Sequence, residues 1–302
     1  MDKSEITAEL VARLLAAQFP QWADLPVTPV EVDGWDNTTF RLGTDKSVRL
    51  PSGDAYTAQV DKEHRWLPVL APQLPLPIPQ PLAKGAPSAE FPRPWSIYRW
   101  LEGEPATAAR IRDLERFATD LAGFLDALYR IDAVDEVAAG PHSHLRGGPV
   151  AVLDAQTRAA IAGLNGEIDA DAALAAWKRA LETRFDAQPV WVHGDVVPSN
   201  LLVAGGELAA VIDFGCCAVG DPACDMAVAW MLFSGESRRT FREALGVDDA
   251  TWERGRGWAL WKALIEIHHG GIYDAGAAQP GWVRMGWRTN ATELVEDLLS
   301  ER

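Results

Sequence analysis

Three oxygen-bearing side chains, Asp195, Asn200 and Asp213, fall within one stretch, WVHGDVVPSNLLVAGGELAAVIDFGCCAVGDPACD, which runs from Trp191 to Asp225. Asp195 and Asn200 are five residues apart, with Pro198 between them to fix a turn. Leu201 to Val203 reads as a strand, Gly205-Gly206 as a tight turn, and Leu208 to Ile212 as the returning strand of a hairpin. That hairpin would carry Asp213 back towards the loop, so the three side chains can converge. Such a set suits phosphoryl transfer. One carboxylate, Asp195, can orient an attacking hydroxyl and accept its proton. An amide oxygen (Asn200) and a second carboxylate (Asp213) are hard donors suited to magnesium held against a nucleoside triphosphate.

The spacing H-x-D-x4-N followed by D-F-G repeats the catalytic-loop and metal-loop signatures of protein kinases, with Gly194 where they carry Arg. In the form HGD-x-x-P-x-N, followed by IDFG and then GDP-x-x-D, the stretch resembles the aminoglycoside phosphotransferase family. The resemblance implies an α+β, bilobal protein-kinase-like fold. Its antiparallel-sheet N-terminal lobe would cover residues 1–101, with a hinge at about 99–103. A mainly helical lobe would follow over 104–302, holding a catalytic loop at 193–200, a metal loop at 213–215 and the acceptor pocket. It implies transfer of the γ-phosphoryl of Mg2+-bound ATP or GTP to a hydroxyl of a small molecule. Nothing after Asp213 resembles an activation segment closed by A-P-E, which disfavours a protein kinase.

Ile6 to Phe19 has apolar residues at helical spacing and stops at Pro20. Three short strands are expected at Val27 to Val32, Thr38 to Leu42 and Ser47 to Leu50. The resemblance lays Gly34, Trp35, Asp36 and Asn37, which join the first two strands, over the nucleotide phosphates. There is no G-x-G-x-x-G, and the segment alone reads as a common turn. On the third strand the resemblance asks for a phosphate-binding cation, usually Lys; here Arg49 stands there, with Lys46 the next candidate and a solvated strand arginine the alternative. Tyr56 to Leu70 reads as a helix whose Glu63 is the implied partner of Arg49, or else an exposed helix glutamate. Leu74 to Pro79 is too proline-dense for a helix or central strand and should run extended. Pro94 to Leu101 reads as a strand, and the resemblance puts backbone groups of Arg99, Trp100 and Leu101 against the nucleobase.

Helical patterns follow at Leu114 to Ile131, twice within Ala151 to Phe185, at Trp252 to His269 and in the tail from Trp287 to Leu299. Asp132 to Pro149 reads as loop. Asp225 is expected at the first turn of a helix begun by Pro222, tying the catalytic loop, and His193 is expected to brace it. Trp252, Trp258, Trp261, Trp282 and Trp287 are the tryptophans that could wall an acceptor pocket.

The 302-residue chain carries 43 acidic and 28 basic residues, a formal net charge of −15. That charge repels nucleic acid and anionic membranes and attracts a cationic small molecule, although it also serves plain solubility. Cys216, Cys217 and Cys224 are too few and too closely set for a disulfide framework, and they lack a C-x2-C zinc knuckle. His142 and His144 have no third ligand nearby in sequence. No apolar run approaches the ~18 residues of a membrane span, so a cytoplasmic protein without a protein partner is expected. The acceptor stays open between an aminoglycoside-like cation and a macrolide, an amino alcohol or a sugar. A non-catalytic nucleotide-binding regulator and a metal-dependent hydrolase are the rival classes.

Overall fold

A computed structural model describes residues 2–30, 33–268 and 285–301. The expected strand end at Val32, the helix end at His269 and the pocket candidate Trp282 lie outside these residues. By internal contacts the chain divides into Met1–Gln73 with Pro77–Glu102, and Leu74–Leu76 with Gly103–Arg302.

The first unit begins with helix α1 (Ala8–Gln18), capped by Thr7, whose hydroxyl accepts the Leu10 N–H at 3.3 Å. Leu10, Val11, Leu14 and Leu15 form its buried stripe. They pack on one face of a sheet built from β1 (Val27–Pro29), β2 (Asn37–Leu42), β3 (Lys46–Pro51), β4 (Pro81–Gly85) and β5 (Trp95–Arg99). Among the described residues the strand order is β1-β2-β3-β5-β4, antiparallel throughout. Phe40, Leu42, Val48, Leu50, Trp95 and Ile97 supply the sheet's side of this core. Helix α2 (Thr57–Leu70) follows β3 and continues through Pro68, with Leu67 and Leu70 buried on either side of it. β4 has no counterpart in the sequence reading. It is an edge strand, the one place in a sheet where a residue without an N–H, Pro81, is readily accommodated. Leu74 to Gln80 is neither helix nor strand, as its prolines require.

The second unit is mainly helical. Two-residue strand β6 (Glu104–Pro105) precedes α3 (Leu114–Tyr129), α4 (Asp154–Gly163) and α5 (Ala170–Glu182). Asp113 caps α3 by accepting the Glu115 and Arg116 N–H groups, both at 3.0 Å. Then come β7 (Val190–Val192), the hairpin of β8 (Leu201–Ala204) and β9 (Glu207–Val211), and β10 (Ala218–Gly220). β6 pairs with β8, and β10 pairs with β7. The hairpin turns through Gly205 and Gly206, both at positive φ, as expected from the sequence.

Pro222–Ala227 is a 3-10 turn, followed by α6 (Val228–Met231), α7 (Gly235–Leu245), α8 (Asp249–His268) and α9 (Ala291–Ser300). α7 is absent from the sequence reading because it buries only Ser237, Arg238 and Phe241 and so has no apolar stripe. Arg238 is instead ion-paired with Asp297 and Glu301. Among the described residues, no helix is long and apolar enough to cross a membrane.

Where β10 ends, its backbone meets that of the loop after α3. The Gly147 carbonyl accepts the Asp221 N–H at 2.7 Å, and a Cβ on Gly220 would lie 2.1 Å from that same carbonyl oxygen. Backbone cannot swing aside as a side chain can. Gly220→Ala is therefore expected to cost about 1–3 kcal/mol of stability, measured as a lowered denaturation midpoint. An unchanged midpoint would mean that the two backbones can separate freely.

Candidate active site

The loop between β7 and β8 is held from below by its own histidine. His193 is fully buried; its Nε2 donates to the Ile212 carbonyl at 3.0 Å, and its Nδ1 accepts the Asp195 N–H at 3.2 Å. The ring meets Phe214 edge-on at 4.6 Å. Asp225, also fully buried, accepts the N–H groups of His193 at 3.0 Å and Gly194 at 2.7 Å, and the Tyr129 hydroxyl at 3.3 Å. Burial pushes the Asp225 carboxyl up, against the opposing pull of His193 and of the two backbone N–H groups. Both residues are therefore braces, the roles expected of them.

Gly194 sits at φ +84°, and a Cβ there would lie 2.5 Å from the Cys216 carbonyl oxygen and 2.9 Å from the Arg146 Cβ. That crowding explains why the position that is Arg in protein kinases is Gly here.

Asp195 lies between three neighbours. Its backbone carbonyl accepts the Asn200 amide at 3.0 Å, and its Oδ2 accepts the same amide at 3.4 Å. Its Oδ1 accepts Lys262 Nζ at 2.5 Å. Burial would raise the Asp195 carboxyl, but the charges of Lys262 and Arg146 and the hydrogen bond from Lys262 outweigh it and hold the group at about 2. It is therefore a carboxylate at neutral pH. With the amide nitrogen of Asn200 turned to Asp195, its Oδ1 faces the other way. The Asn200 carbonyl accepts the Ile212 N–H at 2.8 Å, which ties the end of the hairpin to the loop. Asp213 comes next, in a left-handed conformation (φ 68°, ψ 68°) rare for a residue with a side chain.

Lys262 and Arg146 are the groups that sequence reasoning missed. Lys262 is set in the apolar run WALWKALI of α8, where a lysine is a buried charge in need of a partner, and that was the available signal. Arg146, in a loop and nine-tenths buried, carries its guanidinium 4.7 Å from the Trp261 ring centre and 5.3 Å from that of Trp258. Nothing in its local sequence marks it. Of the other pocket tryptophans, Trp252 packs on Trp230 and Phe241, and Trp287 is buried.

The first unit holds the remaining sequence candidates. Arg49 Nη1 is 3.5 Å from Glu63 Oε1, and the Tyr98 hydroxyl donates to Glu63 Oε2. The Arg49–Glu63 pair thus forms, with Tyr98 as an unanticipated third member. Burial, then the Glu63 charge, push the Tyr98 hydroxyl well up, so it remains a donor. The Gly34 carbonyl accepts Lys3 Nζ, the Asp36 carboxylate accepts Gln59 Nε2 at 2.9 Å, and Asn37 is buried at the start of β2. Arg99 donates its backbone N–H to the Gln80 carbonyl at 2.9 Å, and Trp100 donates its own to the Asp45 carbonyl at 2.8 Å; Leu101 follows.

Among the described residues, no group of three or more His, Cys, Asp or Glu is placed to hold a metal ion. His142 Nε2 donates to the Ala138 carbonyl at 2.9 Å, and the three cysteines are buried and outside any disulfide.

Solved structures similar to this chain include the GDP complex of aminoglycoside 2'-phosphotransferase-IIIa, at 19% identity over 98% of this chain and 99% of that one, with a TM-score of 0.71. Macrolide 2'-phosphotransferase MphH from Brachybacterium faecium, as apoenzyme, is similar at 20% identity over 97% and 99% of the two chains, with a TM-score of 0.58. At such identities the likeness establishes the fold, which is the α+β kinase-like one. No curated protein matches the sequence. The family model described as "Phosphotransferase enzyme family" (APH) matches residues 27–258. By that match, over most of its length, the chain belongs to the phosphotransferase enzyme family.

Proposed function

We propose that this phosphotransferase moves the γ-phosphoryl group of a Mg2+-bound nucleoside triphosphate, ATP or GTP, to a hydroxyl of a small molecule. The observation that carries the reading is the arrangement at Asp195: an ionised carboxylate beside an oriented Asn200, on a loop bonded to the backbone just before Asp213. In this reading the acceptor hydroxyl donates to the Asp195 carboxylate, which aligns it and takes its proton as the new O–P bond forms and the bond from the γ-phosphorus to the β–γ bridging oxygen breaks, releasing the nucleoside diphosphate. Asn200 Oδ1 and the Asp213 carboxylate would hold magnesium, and both are the hard oxygen donors that ion prefers. Bound there, the ion would neutralise phosphate charge.

From the first unit we assign Arg49 to the phosphates, with Glu63 and Tyr98 fixing its direction. Arginine is permanently charged and presents a planar fork, so it can serve where a lysine is usual. The backbone of Gly34, Asp36 and Asn37 is assigned to the phosphates as well. For the nucleobase we assign Arg99, Trp100 and Leu101. The first two N–H groups already donate within the unit, so their carbonyls and Leu101 are the groups we assign to the base.

The net charge of −15 favours a cationic acceptor at long range. Similar structures are described as complexes with kanamycin and with gentamicin. An aminoglycoside-like acceptor is the reading these two facts support. A different acceptor class is favoured by the positive charges nearest Asp195, Lys262 in contact with it and Arg146 close by. With three cysteines and no disulfide between them, we assign the protein to the reducing cytoplasm.

Asp195→Ala is expected to lower kcat by about 100- to 10,000-fold while Mg-nucleotide binding persists; substantial turnover in that variant would refute the assignment of the base. Asp213→Ala should weaken Mg-nucleotide binding at least about tenfold, equivalent to about 1.4 kcal/mol, by calorimetry. Unchanged affinity would remove Asp213 from the metal site.

A further inference from the structure

The second unit carries two cations beside Asp195 for which the reaction as assigned has no use. Among the described residues Lys262 makes a single hydrogen bond, to Asp195 Oδ1 at 2.5 Å, although its ammonium has three donors. Arg146 is more unusual. It is nine-tenths buried, has no carboxylate within ion-pair distance among the described residues, and leaves its Nε without a partner. Among the described residues its guanidinium makes one hydrogen bond, to the His144 carbonyl at 3.5 Å, at the limit of such contacts. The guanidinium instead lies against Trp258 and Trp261, whose indoles hold it in place without satisfying its N–H groups. Trp258 adds a further buried donor, its own Nε1–H, without a partner among the described residues.

A buried arginine with unused donors is costly unless an anion completes it. Among the described residues Asp195 pairs with Lys262 alone, and Arg146 acts on it as a second nearby charge, so the two groups that bear most on its ionisation are cations despite the acidity of the chain. Glu266, one turn further along α8, has interactions of its own. A polycation reaching Asp195 would meet Lys262 and Arg146 at close range, where their repulsion exceeds the pull of scattered surface acids screened by salt.

We propose that Arg146 and Lys262 form a subsite that receives an anionic group, carboxylate or phosphate, carried by the acceptor beside the hydroxyl that is phosphorylated. This rests on the phosphotransfer reading above and narrows its acceptor to an acidic alcohol. The two cations have different jobs. Arg146, planar and pre-oriented on the indoles, grips two oxygens of the anion at once. Lys262 bridges from that anion to Asp195, so binding the acid group brings the neighbouring hydroxyl to the carboxylate.

The test is a panel of matched acceptors given to the full chain with Mg-ATP and Mg-GTP: glycerol, glycerate and glycerol phosphate; a hexose, its sugar acid and its sugar phosphate; and kanamycin and gentamicin. Acidic members are expected to exceed their uncharged counterparts by about tenfold or more in kcat/KM. In Lys262→Met and Arg146→Met that preference should fall towards parity, while Lys262→Arg, which keeps the charge and guards against loss of folding, should retain it. Preference for the polycations or for the uncharged members would overturn the proposal. So would an equal loss for acidic and uncharged acceptors in the Met variants, since the cations would then serve the transferring phosphoryl. Failure of every acidic member to be turned over or to raise the melting temperature would also overturn it. Mg-nucleotide binding that depends on Asp213, measured on the same preparation, would show that the phosphotransfer reading survives such a failure.

Discussion

The arrangement around Asp195 depends on a carboxylate that does not face it. Asp225 is removed from solvent and spends its lone pairs on the N–H groups of His193 and Gly194 and on the Tyr129 hydroxyl. Hydrogen bonds to a charged acceptor contribute roughly 1.5–3 kcal/mol each, against a desolvation cost of several kcal/mol per buried ion. Three such bonds are therefore enough to keep the group where it is. Their effect is directional: they turn the chain sharply out of β7, at a glycine that alone can take the positive φ and the contact with Cys216. His193 then bonds both the loop ahead of it and Ile212 on the returning strand. Asp195, Asn200 and Asp213 inherit their positions from this frame.

The electrostatics of the second unit work on two scales. Over the whole chain acid dominates, as the net charge of −15 records. Those charges are spread over an exposed surface, where many are already neutralised by helix-spaced partners such as Arg116–Asp120 and Arg158–Asp154. At Asp195 the charges that act most strongly are two cations, Lys262 and Arg146, because they are close and shielded from water. The local pair, not the global sum, sets the ionisation of the carboxylate and the field an acceptor enters. In the first unit the same principle makes a small circuit: Tyr98 and Arg49 both engage Glu63, each side chain restricting the other two.

Much of this was legible in the residue string, and for a consistent reason. The β7–loop–hairpin stretch is local: a short apolar run, a proline, a Gly-Gly turn and an alternating strand each specify their own few residues, and together they place Asn200 beside the backbone that leads to Asp213. Helices with a clear stripe, α1 and α3, were equally plain, since their apolar residues recur at helical spacing. Where burial comes from ion pairing rather than apolar side chains the pattern fails, as in α7, whose buried Arg238 pairs with Asp297 and Glu301, far along the chain. β4 was hidden by its proline, which is acceptable only because its neighbour lies on one side.

By itself, then, the order of residues pointed to phosphoryl transfer and named Asp195, Asn200 and Asp213 as its candidates. Bonding along a loop and its hairpin depends on spacing that any reader of the chain can count. The tertiary structure alone decided what surrounds Asp195. Lys262 lies 67 residues beyond it, on a helix whose face is chosen by packing; Arg146 comes from an irregular loop oriented by two indoles. Contacts of that separation are made by the closing of the core around them, and no local periodicity encodes which buried charge will meet which.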